Sequence, residues 1–91
     1  MEIMRVEDEL VTTRRVPGLK KMSLRVLSDG KGKLNVACDP VGVPIGKWVF
    51  TSSGSAARYA TGDGTVLTDL TIAGIIDFWD PEDRGIGNEG A

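Results

Sequence analysis

One apolar stretch near the C-terminal end constrains the fold of this chain more than any other segment. Residues 69–77 read DLTIAGIID and continue into Phe78 and Trp79. Alternate residues of a strand point to opposite faces, and neither face of this stretch is polar before Asp77. The pattern predicts a strand buried on both sides. A chain of 91 residues has limited surface with which to cover a sheet twice, so we expect the second face to meet another copy of the protein.

The length and the charge distribution indicate one folded domain followed by an acidic tail. Residues 1–80 are predicted to form the domain, and the polar, glycine-rich residues 81–91 are predicted to be a flexible C-terminal tail. Residues 80–91 contain 4 acidic side chains and 1 basic one, a net charge of -3. The rest of the chain carries 10 basic and 9 acidic side chains. The domain therefore lacks the strongly basic face that nucleic acid usually requires.

The absence of histidine and the scarcity of cysteine disfavour several kinds of chemistry. The chain has no histidine, which is the commonest general base and metal ligand. Its single cysteine, Cys38, gives neither an internal disulfide nor a metal-ligand pair and is predicted to be a small core residue. We therefore expect no catalytic residues, no metal and no cofactor. Since no apolar run has the length of a membrane span and the N-terminus is unlike a signal peptide, we expect a cytoplasmic protein without a membrane partner.

The first strand is predicted within residues 2–14, which alternate apolar and polar side chains. Met4 and Val6 belong to the inward set, and Asp8 interrupts it, so we expect a bend or a bulge near Asp8. A fourth strand is predicted at residues 47–52. Between these two strands, residues 22–28 and 33–39 predict a hairpin around an Asp-Gly turn, with an inward set formed by Leu24, Val26, Leu34, Val36 and Cys38.

A change to helix-favouring residues follows the fourth strand. Residues 53–60 predict one or two helical turns behind a serine cap, and residues 69–77 supply the last strand. Five short strands with one small helix before the last predict an all-β fold, with a small OB-like barrel as the leading candidate.

Two functional alternatives remain at this point. The turn at residues 54–58 has the glycine and serine of an anion-binding loop, but it lacks the lysine of a P-loop, so a structural turn is favoured. An OB-like barrel could also bind single-stranded nucleic acid through exposed aromatic residues. Asp69 and Asp77 cannot form an acid/base pair, because eight steps of about 3.3 Å along a strand separate them by roughly 26 Å.

Four segments in the same order resemble the pentameric vertex proteins of bacterial microcompartment shells. They are the strand MRV with the following LVTTR at residues 10–14, Gly42 ahead of WVF, the turn GSAAR at residues 54–58, and DLTIAGIID at residues 69–77. The segments RRVPGLK at residues 14–20 and CDPVGVP at residues 38–44 are most similar to vertex proteins of alpha-type carboxysomes. The resemblance covers residues 1–79.

The resemblance implies a homopentamer at the corners of an icosahedral carboxysome shell, surrounded by hexameric shell proteins. The shell would enclose Rubisco and carbonic anhydrase, and the pentamer would limit leakage of carbon dioxide. By the same resemblance, the fivefold axis would be lined by candidates from one turn, Ser53, Gly54, Ser55 and Arg58. The candidate subunit contacts lie on and beside the last strand: Asp69, Ile75, Asp77 and Trp79.

Overall fold

The computed structural model describes residues 1–77, which form a closed five-stranded barrel. Trp79 and the predicted tail at residues 81–91 lie outside the described residues. The strands follow the order β1-β2-β3-β5-β4 around the barrel, and among the strand pairs of residues 1–77 only β3 and β5 are parallel. This arrangement confirms the predicted barrel with one short helix. The elements are β1 (Glu2–Leu10), a 3-10 turn (Pro17–Leu19), β2 (Leu24–Ser28), β3 (Leu34–Cys38), β4 (Trp48–Ser53), α1 (Ser55–Ala60) and β5 (Leu70–Ile75).

A bulge in β1 lies beside the residue where the sequence predicts one. Val6 pairs with Leu27 and Asp8 pairs with Val26, so Glu7 is the extra residue on β1. The extra residue reverses the alternation of side chains. Val6 therefore stays in the barrel, fully buried, while Asp8 is exposed.

The hairpin between β2 and β3 turns other residues toward the barrel interior than the sequence pattern predicts. Leu27 and Ala37 belong to the main core cluster, together with Met4, Val6, Val43, Val49 and Ile72. Leu24 and Cys38 are also buried, but they pack in a second cluster with Val66. The predicted inward residues Leu34 and Val36 are exposed. The prediction was wrong because β2 has apolar residues in both phases, so its pattern did not select one.

Two loops cover the second cluster and are held together by close contacts. The backbone N-H of Leu67 donates to the carbonyl of Gly18 over 2.7 Å. A Cβ on residue 18 would lie 2.2 Å from Cδ1 of Leu67, so only glycine fits there without movement of the leucine. Lys20 Nζ forms an ion pair with Asp63 Oδ2 at 2.9 Å and a hydrogen bond with the hydroxyl of Thr65.

The contact between these loops should weaken in acid. The hydrogen bonds from Thr65 and then from Lys20 lower the pKa of Asp63 below its ordinary value of 3.8. Because the folded-state pKa is the lower one, the stabilisation is complete above pH 3.8 and is lost as the pH falls through the folded value. We expect Asp63→Asn to lower the midpoint of thermal unfolding at neutral pH and to have a shrinking effect below pH 4. A difference in midpoint that is constant from neutral to strongly acidic pH would contradict this assignment.

Candidate functional site

The turn after β4 contains the four residues that the sequence predicts around a pore. Ser53 ends β4, and Gly54 precedes α1 with φ 66° and ψ -148°. The expected serine cap is absent, since Gly54 occupies the cap position and no side chain bonds to the first turn. A positive φ favours glycine, which explains why it replaces a capping serine. Ser53, Gly54, Ser55 and Arg58 are all exposed on this turn.

Two hydrogen bonds fix the turn to the beginning of β5. The backbone N-H of Gly54 donates to the carbonyl of Asp69 over 3.0 Å. The hydroxyl of Thr71, fully buried, donates to the carbonyl of Ala57 over 2.7 Å. Ala57 is buried as well, so α1 packs closely on the outer face of β4 and β5. The exposed turn therefore has a rigid base.

The last strand is shorter than predicted and contains a bulge. Phe50 pairs with Gly74 while Thr51 pairs with Ile72, so Ala73 is the extra residue on β5. The extra residue turns both Ile72 and Ile75 toward the main core, although they are three residues apart. Thr71, next to Ile72, faces the other side of the strand and is buried under α1.

The predicted subunit contacts are spread along β5 and its ends. Asp69 and Asp77 are exposed just outside the strand, and Trp79 lies outside the described residues. Ile75 pairs with the fully buried Val49, is itself half-buried, and packs against the main core. Much of the Ile75 side chain therefore contacts its own subunit.

An ion pair that the sequence did not reveal holds the loop between β3 and β4. The Asp39 carboxylate accepts the backbone N-H groups of Val41, Gly42 and Val43 over 2.8–3.0 Å. It also pairs with Arg25 Nε at 3.2 Å, and the Asp39 side chain is fully buried. Through these bonds Asp39 brings Val43 into the main core. The sequence shows Asp39 directly ahead of a loop rich in Gly and Pro, but Arg25, its charged partner, lies 14 residues earlier in the chain.

Metal-ligand clusters and membrane-spanning helices are both absent from residues 1–77. Within residues 1–77, no three His, Cys, Asp or Glu side chains are placed to hold a metal ion. No helix in the same range has the length and apolar character that crossing a bilayer requires.

Comparison with known proteins identifies the family of this barrel. The family model described as ethanolamine utilisation protein EutN/carboxysome matches residues 1–77. The chain belongs to this family. Carboxysome shell vertex protein CsoS4B from Halothiobacillus neapolitanus is 66% identical to it over 79 residues, which cover 87% of this chain and 98% of that relative.

Two solved structures of shell proteins have the same fold. The structure of CsoS4B from Halothiobacillus neapolitanus superposes with a TM-score of 0.82 at 65% identity, covering 86% of this chain and all of that one. The GrpN pentameric microcompartment shell protein from Rhodospirillum rubrum superposes with a TM-score of 0.76 at 27% identity, covering 88% of this chain and 98% of that one. The resemblance to microcompartment vertex proteins is thus confirmed.

The hydroxyl of Thr71 is expected to position the turn after β4. Thr71→Val keeps the shape of the side chain but leaves the buried carbonyl of Ala57 without its donor. We expect the free energy of unfolding to fall by about 1–3 kcal/mol. Thr68→Val is a useful control, because the Thr68 hydroxyl, in a less buried position, donates to the carbonyl of Leu70 and accepts from its backbone N-H. Equal losses in urea denaturation of the two variants would show that Thr71 has no special role.

Proposed function

We propose that this chain forms homopentamers that occupy the vertices of a carboxysome shell. The observation that carries the proposal is the 66% identity with a carboxysome shell vertex protein over 98% of that relative. The likeness to a pentameric microcompartment shell protein supports the fivefold ring. In this role the chain is a structural protein of the bacterial cytoplasm, and its function depends on buried surface and shape rather than on catalysis.

The vertex role gives the pentamer a second set of partners, the hexameric proteins of the shell facets. A closed icosahedral shell needs fivefold units where its facets meet, because a sheet of hexamers alone has no curvature. A head-to-tail contact that closes after a fixed rotation provides such a unit. By closing the corners, the pentamer would limit leakage of carbon dioxide.

We place the turn after β4 around the fivefold axis of this ring. Its exposed residues, Ser53, Gly54, Ser55 and Arg58, would then line a narrow opening. The bonds to Asp69 and Thr71 support this role, since they hold the turn in one position. Five copies of Arg58 would give the opening a positive potential, which favours small anions.

Asp69, Ile75, Asp77 and Trp79 are retained as candidate contacts between subunits. The exposed position of Asp69 and Asp77 at the two ends of β5 supports a contact there. Ile75 would contribute mainly by holding β5 in the barrel, because it packs on the main core.

The mass of the assembly is the first test of this function. Native mass spectrometry should give a particle of five chains of 9.7 kDa each. A stable monomer at micromolar concentration would exclude the vertex role.

Shell assembly tests the position of the pentamer. Hexameric shell proteins expressed with this chain should form closed particles in electron micrographs, and the same proteins without it should leave open corners. Shells loaded with carbonic anhydrase should hydrate external carbon dioxide more slowly when they are capped. Equal closure and equal rates with and without the chain would contradict the proposal.

A further inference from the structure

A segment between β1 and β2 covers the second cluster from outside the barrel. We call residues 11–22 the strap. Leu19 and Met22 of the strap are half-buried and pack against the second cluster. The main core consists of other residues. Because of this separation, the main core would stay filled if the strap left its place.

The polar contacts that hold the strap closed are exposed to water. Lys20 Nζ pairs with Asp63 Oδ2 at 2.9 Å, and the two side chains are 45% and 49% exposed. An ion pair of this kind contributes little to stability, because water screens both charges. A second contact is the backbone bond from Leu67 to Gly18, and Leu67 is itself 51% exposed. Segments attached in this way open at lower free energies than the core of a domain.

Lys20 has a strained backbone in this closed position. Its φ is 56° and its ψ is -144°, and among residues 1–77 it is the only residue other than glycine with a positive φ. The Cβ atom crowds the backbone in this conformation, so glycine is strongly preferred. Such a residue persists only where its surroundings hold it. Asp63 and Thr65 hold Nζ of Lys20, and Arg15 donates to its carbonyl. The strained residue is therefore one through which the strap is attached.

We propose that the strap opens and closes while the barrel stays folded. Release of Lys20 from Asp63 lets the Lys20 backbone relax to a negative φ, so the strain favours the open state. The packing of Leu19 and Met22 on the second cluster favours the closed state. These opposing effects make the strap an element with two states. The inference goes beyond the proposed function and does not depend on the number of chains in the assembly.

Cys38 can report the opening, because it lies beneath the strap. It is 1% exposed and belongs to the cluster against which Leu19 and Met22 pack. It is also the only cysteine of the chain. N-ethylmaleimide adds to an accessible thiolate, whereas a buried thiol is inert. The rate of this addition to Cys38, followed by mass spectrometry, measures how often the strap is open.

Labelling without denaturant separates opening of the strap from unfolding of the barrel. The native protein should be labelled faster than its global unfolding equilibrium allows, and low urea should barely change the rate, since local opening exposes little surface. Ile72→Val is the matched control, because Ile72 is fully buried in the main core. It lowers global stability but should leave the labelling rate unchanged. If this variant speeds labelling by about two- to tenfold, as unfolding of the whole barrel predicts, the inference is overturned.

Substitutions of Lys20 test the strain. Lys20→Ala and Lys20→Gly both remove the ion pair with Asp63, but only alanine keeps a Cβ at a positive φ. Labelling of Cys38 should be about tenfold slower in Lys20→Gly than in Lys20→Ala. In an unstrained loop glycine would have the opposite effect, because it adds freedom to the open chain. Equal rates, or faster labelling of Lys20→Gly, would overturn the inference.

Discussion

Replacing Asp39 with alanine is expected to lower the free energy of unfolding by about 3–5 kcal/mol, because it removes one partner of a buried ion pair. The carboxylate accepts three backbone N-H groups and pairs with Arg25, whose side chain is only 15% exposed. Without the carboxylate, the three backbone donors lose their acceptor in the interior, and the guanidinium keeps only the Val43 carbonyl and the exposed Glu9 carboxylate. Urea denaturation at one fixed subunit concentration measures the loss, since assembly makes stability depend on concentration.

Asp29→Ala is the matched control for this prediction. The Asp29 carboxylate also accepts backbone N-H groups of the following turn, those of Lys31 and Lys33. These donors are in the exposed hairpin turn, where water can replace the carboxylate. We expect a much smaller shift of the urea midpoint than for Asp39→Ala. Similar shifts for the two variants would mean that the buried ion pair contributes nothing beyond a local turn.

Ile75→Asp is expected to prevent both folding and assembly. Ile75 packs against the main core and pairs with Val49, so the substitution places a carboxylate at the edge of the barrel interior. Burying a charge without a partner costs several kcal/mol, a large part of the stability of a small domain. Soluble yield, thermal unfolding and native mass spectrometry would record the loss.

Ile75→Val separates the effect of charge from the effect of volume. It removes one methylene group and should cost about 0.5–1.5 kcal/mol while the pentamer persists. A soluble pentamer of the Ile75→Asp variant with an unchanged unfolding midpoint would show that the Ile75 side chain does not face the barrel.

Local patterns were sufficient to predict most elements of this fold. The hairpin between β2 and β3 was predicted because Asp29 and its glycines form a turn whose hydrogen bonds are local. The bulge in β1 was predicted because Asp8 would otherwise point into the barrel. In both cases the cause lies within a few residues of the effect.

The phase of the hairpin was not predictable in the same way. Leu24 and Leu27 are both buried, but on opposite faces, because loops cover the outer face near Leu24. Only the packing of Val66 and its neighbours, far along the chain, makes that outer face a second core. Periodicity within one strand carries no information about distant loops.

The candidate site was also predictable only in its local part. The turn from Ser53 to Arg58 could be singled out because its motif is contiguous in the sequence and resembles a family. Its attachment to Thr71 and the ion pair of Arg25 with Asp39 join residues that are distant in the chain. These contacts required the folded structure.

The sequence by itself determined the fold class, the family and the apolar character of the last strand, since these follow from local alternation and contiguous motifs. The tertiary structure alone decided which apolar residues fill the barrel and which remain exposed, such as Ile3, Leu34 and Val36. The physical reason is that burial depends on what every other element covers. In the stretch at residues 69–77, the tertiary structure placed Thr71 under α1, Ile72 in the barrel and Gly74 beneath Phe50.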